Sequence, residues 1–333
     1  MTWGRLMRGE LAASVQAEVL AAARRAVPDA RIESHRFACE RAGASLLTPA
    51  SAAWPKTLRA LEDPPATLYH RGNPALLACP QIAVVGARRA SRRALDDAVW
   101  LVRELAAADL TVTSGLALGI DGAAHRAALD CGGATVAVLG SGLDRIYPAR
   151  HRALAARTAA KGLLLSEFLP GTPALPHHFP QRNRLVSGLS LGVVVVEAST
   201  RSGSMITARL AAQQGREVFA LPSTARDARA SGNLRLLREG AVLVRDAGDV
   251  LSELGLENTP ARRALAVLPP TPTGAAVLDA MTPDGTDFAT LVLRTGLDAS
   301  ELAVRITELE LDGFLERDGE RLYPRASGAV PGA

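Results

Sequence analysis

Residues 114–125 read SGLALGIDGAAH, so a serine, an aspartate and a histidine lie close together in the chain. These side chains serve the serine hydrolases, in which a histidine takes the proton of the attacking hydroxyl. The nucleophile of an α/β hydrolase lies in a GxSxG turn, however, and Ser114 follows Thr113. Asp121 precedes His125 by four residues, which makes the two neighbours on one helix face. We therefore expect both to organise a loop, and we predict no catalytic residue.

The histidines and cysteines form no metal-binding pattern. The candidate ligands, which lack HxH or HExxH spacing, are Asp121, His125, His177 and His178. The three cysteines are scattered without a CxxC pair. A GxGxxG loop for a dinucleotide is also missing, because the first strand of the main sheet is followed by GARR at 86–89. An arginine there favours free phosphates, so we predict no metal and no cofactor.

From residue 81 onward, short apolar runs alternate with segments of helical pattern. The predicted strands cover residues 81–86, 110–114, 135–140, 163–167, 192–198, 217–222 and 241–244. Strands that alternate with helices are typical of a parallel sheet covered on both faces. We predict an α/β fold with a Rossmann-like, doubly wound, mostly parallel sheet, whose ligands bind at the carboxyl ends of the strands.

Glycine and serine are concentrated where these predicted strands end. The candidate residues in four such loops are Gly86 and Arg88, Ser114 and Gly115, Gly140 and Gly142, and Ser202, Gly203 and Ser204. Their backbone N–H groups and the helix N-termini that follow favour phosphate binding. Gly119 lets the backbone after the second strand turn into the next helix.

Residues 177–190, HHFPQRNRLVSGLS, combine an aromatic ring, an amide and arginines just before a predicted helix. The candidate residues are Phe179, Arg182, Asn183 and Arg184. Single-stranded nucleic acids are bound by this mixture, since guanidinium groups bind the backbone and aromatic rings stack on bases. In the alternative interpretation, Phe179 fills the core and the arginines pair with Glu197 or Glu167.

Charge is distributed unevenly along the chain. Residues 81–225 contain 16 Lys and Arg against 10 Asp and Glu, whereas residues 226–333 contain 12 against 17. An anionic partner is therefore expected to bind the middle of the chain. All basic residues except Lys56 and Lys161 are arginine, for which a GC-rich genome is the alternative explanation.

No apolar run approaches the roughly 20 residues of a membrane span, and the N-terminus lacks the apolar core of a signal peptide. We expect a cytoplasmic protein that does not associate with membranes.

Both ends of the chain differ from the central sheet. Residues 1–75 are predicted to form a small helical region, with a helix at about 10–26, and a connector rich in proline and turn residues. The sheet domain is predicted to cover residues 76–256, followed by a Pro/Thr/Ala linker at 257–268. Three helices and a β-hairpin then predict a winged-helix domain at 269–326.

The ordered motifs of the chain resemble the DNA-processing protein A (DprA/Smf) family. The matching stretches include WPKTLRALEDPPATLYHRGN, AVVGARRAS, TSGLALGIDGAAHRAAL, TVAVLGSGLDRIYPARHRAL, FPQRNRLVSGLS and SGSMITARLAAQQGREVFALP. The resemblance covers about residues 50–250. It implies a non-enzymatic protein that binds single-stranded DNA, protects DNA entering by natural transformation and loads the RecA recombinase onto it. It also implies a homodimer, with a dimer surface at about residues 225–250.

The resemblance also implies the DNA contacts. They fall on Arg88, on the loop from Ser114 to Gly119, on the FPQRNR segment and on the SGS motif at 202–204. Three features depart from the family pattern. The glycine that usually follows the VGxR motif is replaced in RASRRALDD, and Pro222 is followed by Ser223 and TARDARA instead of glycine. The N-terminal region lacks a clear helix-hairpin-helix glycine signature.

Two other functions fit parts of the sequence. A nucleotide-cleaving phosphoribohydrolase shares the scaffold, but its PGGxGTxxE motif is missing, and the fifth strand is followed by RSGSMITARLA. A duplex-DNA-binding regulator would use the winged helix. Residues 258–333 contain 11 Asp and Glu against 7 Lys and Arg, so we expect this domain to contribute little DNA affinity.

Overall fold

The computed structural model describes residues 29–256, 272–282, 285–311, 314–319 and 321–324. The chain divides into two compact units, Met1–Asn258 and Thr259–Ala333. The predicted helix at about 10–26 and the predicted linker at 257–268 lie outside the described residues. The proposed domain boundaries stay predictions.

A sheet of nine strands forms the centre of the described part of the first unit. The strands are β1 (Ser45–Leu47), β2 (Leu68–Gly72), β3 (Gln81–Val85), β4 (Thr111–Ser114), β5 (Thr135–Leu139), β6 (Leu163–Ser166), β7 (Gly192–Val195), β8 (Glu217–Ala220) and β9 (Val242–Leu243). Their order across the sheet is β1-β2-β6-β5-β4-β3-β7-β8-β9. The strands from β6 to β9 in this order run parallel, and β1 and β2 are antiparallel additions. The predicted Rossmann-like sheet is confirmed.

Helices cover both faces of this sheet. They are α1 (Asp29–Ala42), α2 (Lys56–Arg59), α3 (Arg92–Ala107), α4 (Ile120–Asp130), α5 (Arg152–Lys161), α6 (His178–Leu189), α7 (Gly203–Gln213), α8 (Ser231–Arg238) and α9 (Ala247–Glu253). The apolar run of β7 shows why two layers are needed. Val193 and Val195 belong to one buried cluster, whereas Val194 and Val196 belong to another. Alternate side chains of a strand point to opposite faces, so both faces must be covered.

The prediction that residues 48–74 form a connector rather than part of the core is wrong. Strand β2 pairs with β6, and Trp54, Leu58 and Leu68 are buried together in one of the two large apolar clusters of the unit. The elements here are only three to five residues long. They are separated by prolines and polar residues and lack the longer apolar runs that marked the strands of the parallel sheet.

The second unit has its own small core. Its described elements are α10 (Pro272–Asp279), β10 (Thr286–Asp287), α11 (Phe288–Thr295), α12 (Ala299–Leu311), β11 (Leu315–Asp318) and β12 (Arg321–Pro324). Leu291, Leu302 and Ile306 pack in this core. Three helices and a hairpin that turns at Gly319 (φ +61°) confirm the predicted winged-helix architecture, to which β10 adds an unpredicted third strand.

The exposed side chains of α12 include Glu301 and Val304. The expectation that this unit contributes little DNA affinity stays a prediction. None of the helices within the described ranges combines the length and apolar composition that crossing a membrane requires.

The burial of β2 generates a stability prediction. Leu68 is 0% exposed, whereas Leu46 on the adjacent strand is 49% exposed. We expect Leu68→Ala to lower the free energy of unfolding by about 2–5 kcal/mol, because it leaves a cavity in the core. The matched control Leu46→Ala should change it by no more than about 0.5 kcal/mol. Urea unfolding of the full chain measures both, and equal small effects would restore the connector interpretation.

Candidate functional site

A pocket of about 650 Å³ lies at the carboxyl edge of the parallel strands. The chain winds outward from β3 to β6 on one side and from β7 to β9 on the other. Ligands of such sheets bind at this reversal of strand order. The predicted residues that line the pocket are Gly86, Arg88, Gly115, Asp121, Phe179, Arg182, Asn183, Ser202, Gly203 and Ser204.

One end of the pocket combines two aromatic rings with an arginine. The Arg88 guanidinium carbon lies 5.4 Å from the centroid of the Phe179 ring, within cation–π distance. Tyr147 is 51% exposed, and its ring centroid lies 5.6 Å from that of Phe179. Phe179 itself is half-buried and lines the pocket, so the alternative in which it fills the core is wrong. Tyr147 was missed because a single loop tyrosine has no informative spacing.

The segment around Phe179 forms part of a helix and does not precede one. Helix α6 begins at His178, so Phe179, Arg182 and Asn183 lie in its first turns. Arg182 and Asn183 follow Phe179 by three and four positions, so each lies next to Phe179 on the helix surface. All three residues line the pocket.

Arg182 lies beneath the loop that follows β4. It is 4% exposed, and its Nη1 donates a hydrogen bond to the Val138 carbonyl. Gly115 allows the loop to pass directly over this side chain, since a Cβ atom there would overlap the guanidinium. Burial lowers the pKa of Arg182 to about 10, although the Asp121 carboxylate opposes this shift, so the group stays charged at neutral pH. A contact with DNA by Arg182 stays a prediction.

Asp121 holds the same loop through two hydrogen bonds. Its Oδ2 accepts from Gly115 N at 3.2 Å and from Ala117 N at 3.3 Å. Burial raises the pKa of Asp121, whereas the positive charge of Arg182 lowers it. This geometry agrees with the prediction that Asp121 organises the loop.

His125 does not share that role. It is fully buried, and its Nδ1 lies 2.7 Å from the Thr135 hydroxyl oxygen of β5. That hydroxyl donates in turn to the Val112 carbonyl. His125 lies one turn of α4 beyond Asp121 and contacts the sheet, away from the loop backbone. The prediction that His125 organises the loop is therefore corrected.

Ser114 is neither a nucleophile nor a phosphate contact in this structure. Its side chain is 0% exposed, and its hydroxyl donates to the Val84 carbonyl at 2.6 Å. The hydroxyl is therefore used within the sheet. Both the hydrolase arrangement and the predicted cradle role of Ser114 fail on this geometry.

Three predicted glycines lie outside the pocket lining: Gly119, Gly140 and Gly142. Gly119 has φ +78° and lets the loop approach the Ala87 carbonyl, where a Cβ atom would overlap. The N–H of Gly142 donates to the Thr172 carbonyl at 2.9 Å, so it is not available to a ligand. Gly140 is buried against the Phe179 ring. These glycines shape the loops, and their predicted ligand contacts are corrected.

Arg184 is also outside the pocket. Its Nη2 donates to both carboxylate oxygens of Glu167, at 2.6 and 2.7 Å. The side chain is only 15% exposed. For this arginine the salt-bridge alternative is confirmed, and the predicted phosphate contact is corrected because the charge is already paired.

Glu197 forms no salt bridge with an arginine of the described residues, and it was missing from the predicted site. It is 3% exposed, and its carboxylate accepts hydrogen bonds from Ser91 N at 3.0 Å and Ser91 Oγ at 2.5 Å. Its carbonyl accepts from Ala87 N at 2.6 Å. Glu197 thereby fixes both ends of the loop that carries Arg88 and Arg89. The sequence signal was a single acid at the end of an apolar strand.

The N-terminus of α7 forms a further part of the lining. Ser202 Oγ accepts from Ser204 N at 3.3 Å, and Ser204 Oγ donates to the Gly86 carbonyl at 2.8 Å. Gly203 is exposed, and a Cβ atom there would meet no atom within 4 Å. Packing within the described chain therefore does not require glycine at this position.

The free charges of the pocket are positive. Arg88, Arg89 and Arg229 are exposed, whereas Asp121 and Glu197 are buried and already accept hydrogen bonds. Arg89 and Arg229 were not predicted as site residues. Among the described side chains, no cluster of three or more His, Cys, Asp and Glu could hold a metal ion. Such a surface is suited to phosphate groups.

Comparison with known proteins agrees with this geometry. The family model described as DNA recombination-mediator protein A matches residues 45–255, and the model of the DprA winged helix domain matches residues 259–320. The chain belongs to the DprA/Smf family. It is 40% identical to protein Smf of Escherichia coli over 301 residues, which are 86% of this chain and 79% of that relative.

Two solved structures of the family are similar to this chain. DNA processing protein A of Streptococcus pneumoniae matches with a TM-score of 0.64 and 39% identity, over 68% of this chain and 78% of that chain. The Helicobacter pylori protein, described by its unique single-stranded DNA binding mode, matches with a TM-score of 0.58 and 33% identity. That match covers 63% of this chain and 95% of the H. pylori chain. The predicted family is thereby confirmed.

The buried histidine generates a pH prediction. Burial lowers the pKa of His125 from 6.5 to about 3. The unfolded chain therefore takes up a proton near pH 6.5 that the folded chain does not, and the free energy of unfolding should decrease as pH falls from 6.5 towards 3. His125→Gln should make this decrease shallower, as measured by urea unfolding at several pH values. The control His35→Gln, at an exposed site, should keep it; a wild-type slope in His125→Gln would contradict the assignment.

Proposed function

We propose that this protein binds single-stranded DNA in the pocket at the carboxyl edge of its sheet. The observation that carries the proposal is the exposed Arg88 guanidinium against the Phe179 ring, with Tyr147 beside it. A guanidinium group for the phosphates and aromatic rings for the bases suit a flexible strand whose bases are unpaired. The proposed contacts are Gly86, Arg88, Gly115, Phe179, Arg182, Asn183, Ser202, Gly203 and Ser204.

We further propose that the protein acts by binding and without catalysis. The only serine of the opening motif, Ser114, has its hydroxyl bonded within the sheet. The two acids in the lining, Asp121 and Glu197, are engaged in positioning backbone N–H groups. Glu197 also accepts from the Ser91 hydroxyl, which caps α3 by accepting a hydrogen bond from Ala94 N at 3.1 Å. Release of free base from nucleoside monophosphates would overturn this part of the proposal in favour of a phosphoribohydrolase.

The finer biological role is proposed from family membership. The family description as a recombination mediator supports a protein that protects incoming single-stranded DNA and loads RecA onto it in natural transformation. A homodimer in the cytoplasm belongs to the same proposal.

Arg88, in the loop after β3, and Arg184 of α6 allow a sharp test of the DNA site. Arg88→Ala should weaken binding of an oligo(dT) strand and reduce the slope of log affinity against log salt by roughly 0.7, because one phosphate contact is lost. Arg184→Ala should leave the slope unchanged, since that charge is paired with Glu167. Fluorescence anisotropy at several salt concentrations measures both.

A competition experiment completes this test. Unlabelled single strands should displace the labelled strand at lower concentration than a duplex of the same sequence. Equal displacement by the duplex, or an Arg88→Ala slope equal to that of wild type, would reject the proposed site.

RecA loading has its own measurement. On single-stranded DNA coated with a single-strand-binding protein, ATP hydrolysis by RecA should begin after a shorter lag when the wild-type protein is added. Arg88→Ala should not shorten the lag, because loading requires that the protein holds the strand. If wild type binds DNA but leaves the lag unchanged, the mediator role is wrong while the binding role stands.

A further inference from the structure

The pocket has a second cationic end, formed by the loop after β8. Arg229 lies in a 3₁₀ helix, Ala228–Ala230, and lines the pocket through an exposed side chain. Within the described residues its guanidinium has no carboxylate within 4.0 Å, in contrast to Arg184. Arg229 belongs to the arginine-bearing stretch TARDARA, at 224–230.

The sheet order places Arg229 far from the aromatic rings. Tyr147 follows β5 and Arg229 follows β8, and β4, β3 and β7 lie between these two strands. Neighbouring strands are about 4.8 Å apart, so the ends of β5 and β8 are separated by roughly 19 Å. Both aromatic residues of the lining, Tyr147 and Phe179, belong to the β5 side.

The backbone at Arg229 is fixed by hydrogen bonds that do not involve the Arg229 guanidinium group. Asp227 accepts a hydrogen bond from Arg229 N at 2.9 Å through its Oδ1. On the other side, Gly232 N donates to the Ala198 carbonyl at 2.8 Å, which ties the loop to the end of β7. The guanidinium is therefore presented from an ordered turn and stays available.

The groups next to this turn suit a DNA backbone and not a base. The lining there contains Ser202 and the exposed Gly203 at the start of α7, and no aromatic ring among the described residues. Gly203 leaves open space where a side chain would otherwise stand. A phosphate can approach this helix N-terminus closely, and an arginine beside it adds a full positive charge.

We propose that Arg229 binds a second phosphate group of the same DNA strand, at the β8 end of the pocket. The site then has two unlike halves: the half with Tyr147, Phe179 and Arg88 holds bases and one phosphate, and the Arg229 half holds backbone alone. This inference rests on the proposed function, because it assumes that the pocket binds single-stranded DNA.

The test compares Arg229→Ala with Arg226→Ala. Arg226 is an exposed arginine of the same loop that does not line the pocket, so it is a matched control for net charge. For an oligo(dT) of about 15 nucleotides, Arg229→Ala should reduce the salt slope of binding by roughly 0.7, as expected for one phosphate contact. Arg226→Ala should keep the wild-type slope.

Strand length gives a second readout. Oligonucleotides too short to span both halves should bind to the aromatic half, so Arg229→Ala and wild type should bind them equally. With longer strands the two proteins should diverge. Thermal unfolding of each variant verifies that the fold is intact.

Two results would overturn the inference. One is an Arg229→Ala slope equal to that of wild type for every strand length. The other is an equal reduction in Arg226→Ala, which would show a general effect of charge. Failure of the proposed function looks different, since wild-type protein would then not bind single strands at all.

Discussion

The site depends on one buried pair of opposite charges, Asp121 and Arg182, below the loop that follows β4. Both side chains are buried, and Asp121 also accepts hydrogen bonds from two backbone N–H groups of that loop. Removing either partner would leave an uncompensated buried charge, which costs about 3–5 kcal/mol. The two charges therefore fix the position of the loop above Arg182. Glycine is needed at position 115 because any side chain there would overlap the Arg182 guanidinium.

This constraint separates the arginines of the chain into two groups. Arg184 forms a salt bridge with Glu167, and Arg182 is buried near the Asp121 carboxylate and donates to the Val138 carbonyl, so both side chains are held inside the protein. Arg88, Arg89 and Arg229 lie on loops whose backbone is held by other groups, such as the Glu197 carboxylate. Their charges are thus not neutralised by the fold. A bound anion is stabilised most where the buried acids already accept hydrogen bonds from the protein and the exposed arginines have no acidic partner.

Much of the fold could be predicted from the sequence. The seven parallel strands had apolar runs bounded by glycine, and all of them form. Strands β1 and β2 were missed because their segments, SLL and LYHRG, lack the longer apolar runs that marked the other strands. For the site, composition at the strand ends located the pocket, but it could not distinguish exposed arginines from paired ones. Arg182 and Arg184 are two residues apart and both differ from Arg88 only in what surrounds them.

The glycines show the same limit of prediction from sequence, and the structure resolves it. Glycine at a strand end can serve a ligand or the chain itself, and the two uses look alike in a sequence. Gly115, Gly119 and Gly142 each avoid an overlap with the chain's own atoms. Gly203 avoids none, and it lies at the exposed start of α7, between the Arg88 loop and the Arg229 loop. A glycine that packing does not require is therefore the stronger sign of a ligand, and here it marks the stretch where a DNA backbone can pass closest to the protein.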